Sequence, residues 1–461
     1  MVLDRIIEHK RQEVDDQQRN LPLEQFLDRI DPSNRSFLKA ITREHTGFIL
    51  EVKKASPSQG LIREDFDPLL IAEAYAPFAD AISVLTDRKF FQGSFQTLEI
   101  IRGVAPQPVL CKDFILEPYQ VYKARLHGAD AVLLMLSVLD DNEYLACNSA
   151  VEELQMSALV EVHTPQELER ARKLGAKIIG INNRNLKTLE VDLDTTLHLA
   201  PEAKTFADAV VCESGIHSHD DVLRLRDCVD AFLVGTSLMA RPDLGFAVRE
   251  IIFGPTKVCG LTRVEDVRAA QAAGAVYGGM IFAENSPRRI TSELAIELNR
   301  GAPLRWVGVF VNSPVETVAD HAHRLNLTAV QLNGDENGEY IHTLRPLLPG
   351  SCEIWKAHPI ADRIPTLKMD GVDRHLLDAF DPVMRGGTGK TFNWTLLNGT
   401  DRNKIILSGG LNPTNAAQAD RVGAAILDVN SGVEQAPGRK DPRKLTEFFR
   451  ELRGVRTGGE R

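Results

Sequence analysis

After the first 45 residues the chain repeats one pattern. A short, nearly continuous apolar run rich in Val, Ile and Leu is followed by a longer charged stretch in which apolar residues recur with helical period. The runs are FILEVK (48–53), AISVLT (81–86), PVLCKDF (108–114), AVLLMLS (131–137), ALVEVH (158–163), IIGINNR (178–184), AVVCESG (209–215) and AFLVGTS (231–237), eight in all. Such runs suit strands buried on both faces. The stretches after them read as helices. In TPQELERARKLGA (164–176), Thr164 is a good N-cap, Glu167 stands three residues on, and Gly175 marks the C-terminus.

The pattern stops near Gly254-Pro255 and starts again. KVCG (257–260), YGGMIF (277–282), RWVGVFV (305–311), AVQLNG (329–334), EIWKAH (353–358), RHLLDAF (374–380), KIILSGG (404–410) and AILDVNS (425–431) are eight further runs. Strand–helix alternation repeated eight times predicts a (β/α)8 barrel, here two in succession. Alternation alone also admits a doubly wound sheet, but no G-x-G-x-x-G follows the first run of either half. The first 45 residues are amphipathic and helical without a strand signal, so the first barrel carries extra N-terminal helices. The expected domains are 1–254 and 255–461, joined without a flexible Gly/Ser linker.

Composition narrows the class. With 43% hydrophobic and 26% charged residues the chain is an ordinary globular one rather than disordered or fibrous. The excess of 64 Asp+Glu over 54 Lys+Arg, net charge −10, argues against a nucleic-acid binder. No apolar run approaches a membrane span, and the charged N-terminus is no signal peptide. The six cysteines are scattered with no C-x-x-C, which suits a reducing cytoplasm rather than a disulfide or zinc framework. His217/His219 and His321/His323 have no carboxylate or Cys partner at metal-binding spacing, so no metal site is expected. GGTGKT (386–391) is not a P-loop, because Met384 occupies the place of the first glycine.

In a (β/α)8 barrel the chemistry lies at the C-terminal ends of the strands. In the first half those ends carry Glu51 and Lys53, Lys112, Glu161, Asn182 with Arg184, Glu213-Ser214-Gly215, and Gly235-Thr236-Ser237. Any one of these is easily a paired structural residue. Together, Lys and Glu brought to one mouth shift each other's pKa values, as acid/base chemistry requires. Gly and Ser at strands 7 and 8 suit phosphate binding through backbone N–H groups. The segment Lys54–Gly60 after the first strand reads as a lid or phosphate contact.

ExKKxSPSxG, CKDF, VEVH, GINNRNL, ESGI and GTSLM occur in that order, one per strand, and resemble indole-3-glycerol-phosphate synthase over about residues 1–254. The resemblance implies a substrate, 1-(2-carboxyphenylamino)-1-deoxyribulose 5-phosphate, closed to an indole with loss of CO2 and water. Asn185 departs from the family's usual Asp. On this resemblance Lys112 is the acid of ring closure. Lys53, Glu51 and Glu161 share the dehydration steps in an order the sequence leaves open, and Asn182 belongs with the catalytic set. Ser56, Phe114, Arg184 and Glu213 are substrate-binding positions, and Ser214, Gly215, Gly235 and Thr236 hold phosphate.

The strand ends of the second half carry a different set: Cys259, Arg288, Gln331, Asp378, Gly409-Gly410, and Asp428 with Ser431-Gly432. A lone Cys ending an apolar run is commonly just a small core residue. KVCGLT, the SPR at 286–288, VQLNGD, LLDAF followed by GGTGKTFNW, LSGGLNPTN and DVNSGVE together resemble phosphoribosylanthranilate isomerase over about residues 255–461. The implied reaction is an Amadori rearrangement, with Asp378 the acid and Cys259 the base, which calls for a site favouring thiolate. Arg288 matches the residue that engages the anthranilate part, and Gln331 is a further substrate contact. Gly410, Ser431 and Gly432 match the phosphate site. GGTG (386–389) reads as a loop over the site. Asn333 replaces a common His.

Both resemblances together imply a fused bifunctional enzyme. It acts on small phosphosugar–anthranilate substrates, requires no metal, nucleotide or redox cofactor, and works as a cytoplasmic monomer. Two other readings are a single live barrel beside a structural one, and a non-catalytic phosphosugar binder. Both predict loss of acid/base residues in at least one half, whereas both sets are intact.

Overall fold

The computed structural model describes residues 2–186, 188–379 and 391–455. Its chain divides into two compact units, one ending at Ile251 and the other spanning Ile252–Val455. Each is built around a closed eight-stranded parallel barrel in which every strand pairs with its sequence neighbours.

The first unit opens with α1 (Val2–Asn20), two short 3-10 turns and α2 (Phe37–Ile41). The barrel strands are β1 (Gly47–Val52), β2 (Ala81–Leu85), β3 (Val109–Lys112), β4 (Ala131–Met135), β5 (Ser157–Val162), β6 (Ile178–Asn182), β7 (Ala209–Glu213) and β8 (Ala231–Val234), with β8 closing onto β1. Helices follow every strand. The predicted start signal at Thr164 is a full capping box: Thr164 accepts from Glu167 N, and Glu167 accepts from Thr164 N. Asn185, the departure noted above, accepts from Thr188 N at 3.3 Å, a contact for which Asp also has the oxygen.

Strand residues alternate inward and outward, so each strand contributes a ladder of every second residue to the barrel interior. Ile49, Ala81, Leu110, Ala131, Leu159, Ile178, Ala209 and Ala231 form the apolar lower part, into which Phe37 and Ile41 of α2 pack. Two residues further along the same ladders stand Glu51, Lys112, Glu161 and Gly180, then Asn182. The alternation that seals the bottom therefore aims the polar residues at the top.

The second unit contains β9 (Thr256–Val258), β10 (Tyr277–Ile281), β11 (Arg305–Phe310), β12 (Ala329–Leu332), β13 (Glu353–Ile360), β14 (Arg374–Ala379), β15 (Ile405–Leu407) and β16 (Ile426–Val429). Its interior is filled by Trp355, fully buried, edge-on to Tyr277 at 5.5 Å between ring centres. Here the expected alternation is incomplete. No helix stands in the 361–373 connection, and the described residues between β14 and β15 hold only 3-10 turns. Residues 361–373 carry Pro365 and Gly371, with Gly371 at φ 82°, which interrupts helical repetition. The GGTG segment falls outside the described residues.

Candidate active sites

At the mouth of the first barrel, Lys53 Nζ donates to Glu51 Oε1 at 2.7 Å, and Lys112 Nζ donates to Glu213 Oε2 and lies 4.0 Å from Glu161 Oε2. Burial alone would raise the Glu51 carboxyl, but Lys53 and Lys112 outweigh it and hold that group below the usual range. Glu161 goes the other way. Burial and the Glu213 charge lift it to about 7, against the pull of Lys112. Burial would lower Lys112, yet Glu213, Glu51 and Glu161 together raise it, so it stays protonated. One mouth thus holds an ionised carboxylate, a carboxyl poised near neutrality and two ammonium groups.

These residues line a cavity of about 1250 Å³, counting its open mouth, together with Ser56, Phe114, Asn182, Arg184, Ser214, Gly215, Gly235 and Thr236. Val2, Leu3 and Ile6 of α1, with Phe91 and Leu186, give it an apolar flank. The Lys54–Gly60 segment forms a two-residue hairpin, Ala55–Ser56 against Gly60–Leu61, whose tip lines the same space. Ser214 and Gly215 have φ of 64° and 88°, a pair of left-handed residues that turns the backbone in at the end of β7. Glu213 differs from its expected place. It is 1% exposed, is not among the residues lining the cavity, and bears on Lys112.

The second mouth opens on a cavity of about 750 Å³, counting its open mouth, lined by Cys259, Arg288, Gln331, Asn333, Asp378, Gly409, Gly410, Asp428 and Ser431. Gly432 does not line it and packs against Leu411 O, where even a methyl group would collide at 1.9 Å. Burial and then the Asp428 charge push Asp378 up to about 6, well above the ordinary carboxylate range and within reach of proton exchange near neutral pH. The expected thiolate-favouring site is only partly present. Burial raises the Cys259 thiol above its ordinary value, and Lys257 and Lys440 offset this in part. Arg288 is clamped by Glu434, Nε to Oε1 at 2.9 Å and Nη2 to Oε2 at 2.7 Å. Lys440, buried, donates to the same carboxylate at 3.0 Å. Asn333, in place of the common His, accepts from Gln331 Nε2 at 2.8 Å.

Sequence reasoning missed Lys257, Glu434 and Lys440. Lys257 had a usable signal, a lysine inside an apolar run, the same one that singled out Lys53 and Lys112. Glu434 closes the DVNSGVE motif but was not singled out within it, and Lys440, on the short hairpin beyond the last strand, had no signal. His217 lines the first cavity, whereas its neighbour His219 bonds Ile251 O, His321 bonds Thr317 O and Ser292, and His323 bonds Leu347 O.

Two barrels, each with an acid/base set at its mouth and glycine-rich turns after its seventh strand, define a pair of phosphosugar-converting enzymes in one chain. Residues 3–251 match the indole-3-glycerol phosphate synthase family, and residues 256–451 match N-(5'-phosphoribosyl)anthranilate isomerase. The tryptophan biosynthesis protein TrpCF of Vibrio parahaemolyticus is 50% identical over 454 residues, covering 98% of this chain and 94% of that protein. The TrpCF protein of Salmonella typhi is 47% identical over 452 residues, covering 98% and 99%. The chain belongs to this family of tandem synthase–isomerase proteins of tryptophan biosynthesis. It is a bifunctional enzyme. The C-terminal half isomerises N-(5-phosphoribosyl)anthranilate to 1-(2-carboxyphenylamino)-1-deoxyribulose 5-phosphate, and the N-terminal half closes that product to indole-3-glycerol phosphate with loss of CO2 and water. Among the described residues no helix is long and apolar enough to cross a membrane.

Proposed function

We propose that residues 1–254 and 255–461 are the two catalytic domains and that each works with the side chains at its own mouth. In the synthase, protonated Lys112 polarises the substrate ketone as the aromatic ring attacks. Glu213 holds its ammonium in place. Lys53, Glu51 and Glu161 serve the proton transfers of dehydration, with Asn182 beside Glu161, and the near-neutral Glu161 is suited to exchange a proton. Ser56, Phe114 and Arg184 contact the substrate body, while the turns at Ser214-Gly215 and Gly235-Thr236 receive the phosphate.

In the isomerase, Asp378 protonates the furanose ring oxygen and Cys259 takes the C2 proton. Arg288, fixed by Glu434, engages the anthranilate carboxylate, and Gln331 contacts the substrate. Gly410 and Ser431 present backbone to the phosphate, with Gly432 supporting that turn. The observation that carries this reading is Asp378, held near pKa 6 in the same cavity as Cys259. We place the enzyme in the cytoplasm as a monomer.

The test is a pair of single substitutions assayed for both steps. Cys259→Ala should abolish isomerisation and leave synthase turnover within about twofold. Lys112→Ala should do the reverse, with a loss of about 10²–10⁴-fold for a removed acid. A Cys259→Ala enzyme that kept most of its isomerase rate would remove the thiolate from the mechanism. Gel filtration with light scattering checks the monomer.

A further inference from the structure

At the isomerase cavity lies an ion pair that the proposed acid and base do not by themselves explain. Lys257 is completely buried on β9, two residues before Cys259, and its Nζ donates to Asp428 Oδ1 at 3.0 Å and to Gln331 Oε1 at 2.8 Å. Its charge also acts on the Cys259 thiol and favours thiolate. The packing there leaves no slack. A Cβ at Gly279 of β10 would stand 2.7 Å from Cys259 Sγ and 3.0 Å from Lys257 Cε. Asp428 on β16 lines the cavity and is the charge that acts most on Asp378.

A buried Lys–Asp pair is a poor device for stability, because desolvation of both ions offsets their attraction and an apolar pair of similar volume serves at least as well. Its position beside a catalytic pair calls for another reason. Resting on the roles proposed for Cys259 and Asp378, we propose that Lys257 and Asp428 are positioning residues whose opposite charges pull Cys259 toward thiolate and Asp378 toward the carboxylic acid. Lys257 places a cation on the thiol, which favours thiolate. Asp428 places an anion near Asp378, which favours the carboxylic acid. Both act through Cys259 and Asp378. The other charged groups facing Cys259 are Arg288 and Lys440, each turned toward Glu434, and Asp378 also feels Lys257 and the Ala379 N–H. Lys257 is the cation with the largest effect on the thiol.

The experiment measures Cys259 alkylation by iodoacetamide against pH in the full-length chain, read by peptide mass spectrometry, alongside the isomerase pH profile. Lys257→Met should raise the alkylation pKa of Cys259 by about one unit or more, slowing its labelling near pH 7 about tenfold, and should move the isomerase optimum to higher pH. Asp428→Asn should shift both in the opposite direction. Emission from the tryptophans, all in the second unit, verifies folding. If either single variant fails to fold, the Lys257→Met/Asp428→Asn double variant leaves no buried charge uncompensated and should still show a raised Cys259 pKa. An alkylation pKa unmoved by loss of Lys257, or shifts of the same sign in both single variants, would reduce the pair to a structural role and overturn the proposal. The alkylation readout does not depend on turnover, so it separates this proposal from the assignment of Cys259 as the base.

Discussion

A methyl group added at Gly180 would stand 2.0 Å from Glu213 Oε1, on the ladder position next to Asn182. The glycine is there for space rather than for backbone freedom: it lets a buried carboxylate reach Lys112. Gly180→Ala should therefore displace Glu213 and cut synthase turnover by about 10²-fold, the usual consequence of a misplaced catalytic group. Isomerase turnover should be unchanged, and steady-state assay of both steps checks it. Asp378 gives a second prediction at this scale. Its carboxyl is raised from 3.8 to about 6 in the folded chain. A carboxyl raised on folding stabilises fully below its unfolded pKa, and that contribution is lost as pH rises through the folded value. Asp378→Asn should thus inactivate the isomerase yet stabilise its barrel above pH 6, by at most about 2–3 kcal/mol. The gain should vanish near pH 4. Denaturation followed by Trp emission at both pH values measures it, and an equal effect at both would discount the raised pKa.

At the scale of the element, α1 is held by a charge rather than by apolar contact alone. Its buried face is Ile6, Lys10 and Val14, four residues apart. The Lys10 ammonium bonds Asp113 at 2.8 Å, Asp87 at 2.9 Å and Glu13 at 2.8 Å while only 2% exposed. Asp87 caps the helix after β2, and Asp113 adjoins Lys112, so α1 is tied to the loops that frame the synthase mouth. Lys10→Met leaves two buried carboxylates uncompensated. It should lower stability of the first unit by about 3–5 kcal/mol and raise the synthase KM, because Val2, Leu3 and Ile6 line the cavity. Circular dichroism and synthase kinetics check the two effects, and the isomerase KM should not change.

At the scale of the molecule, the two cores are separate and the fluorophores are unevenly shared. Trp306, Trp355 and Trp394 all lie in the second half. Emission therefore reports the isomerase barrel, whereas far-UV circular dichroism reports both. In denaturant the two probes should give different midpoints, with synthase activity following neither the emission curve nor its midpoint. Cleavage between Gly254 and Pro255 should leave two halves that each fold and turn over. Coincident curves together with collapse of both halves would make the chain one cooperative unit.

The sixteen barrel strands, the helical N-terminal segment and the Thr164 capping box were all legible along the chain, because period, run length and cap chemistry are local properties. So were the residues at the strand ends, since alternation by two aims them once the apolar ladder is known. The connections around β14 were not, as a barrel closes through its strands and tolerates an irregular return. Nor was the fate of the charges. Glu161 rises to about 7 because burial and Glu213 outweigh Lys112, while Glu51 falls because Lys53 and Lys112 outweigh burial. Lys257 and Asp428 are 171 residues apart and become a pair only when β16 closes against β9. Protonation states are set by burial and by neighbours distant in sequence, so barrel closure decided them where residue order alone did not.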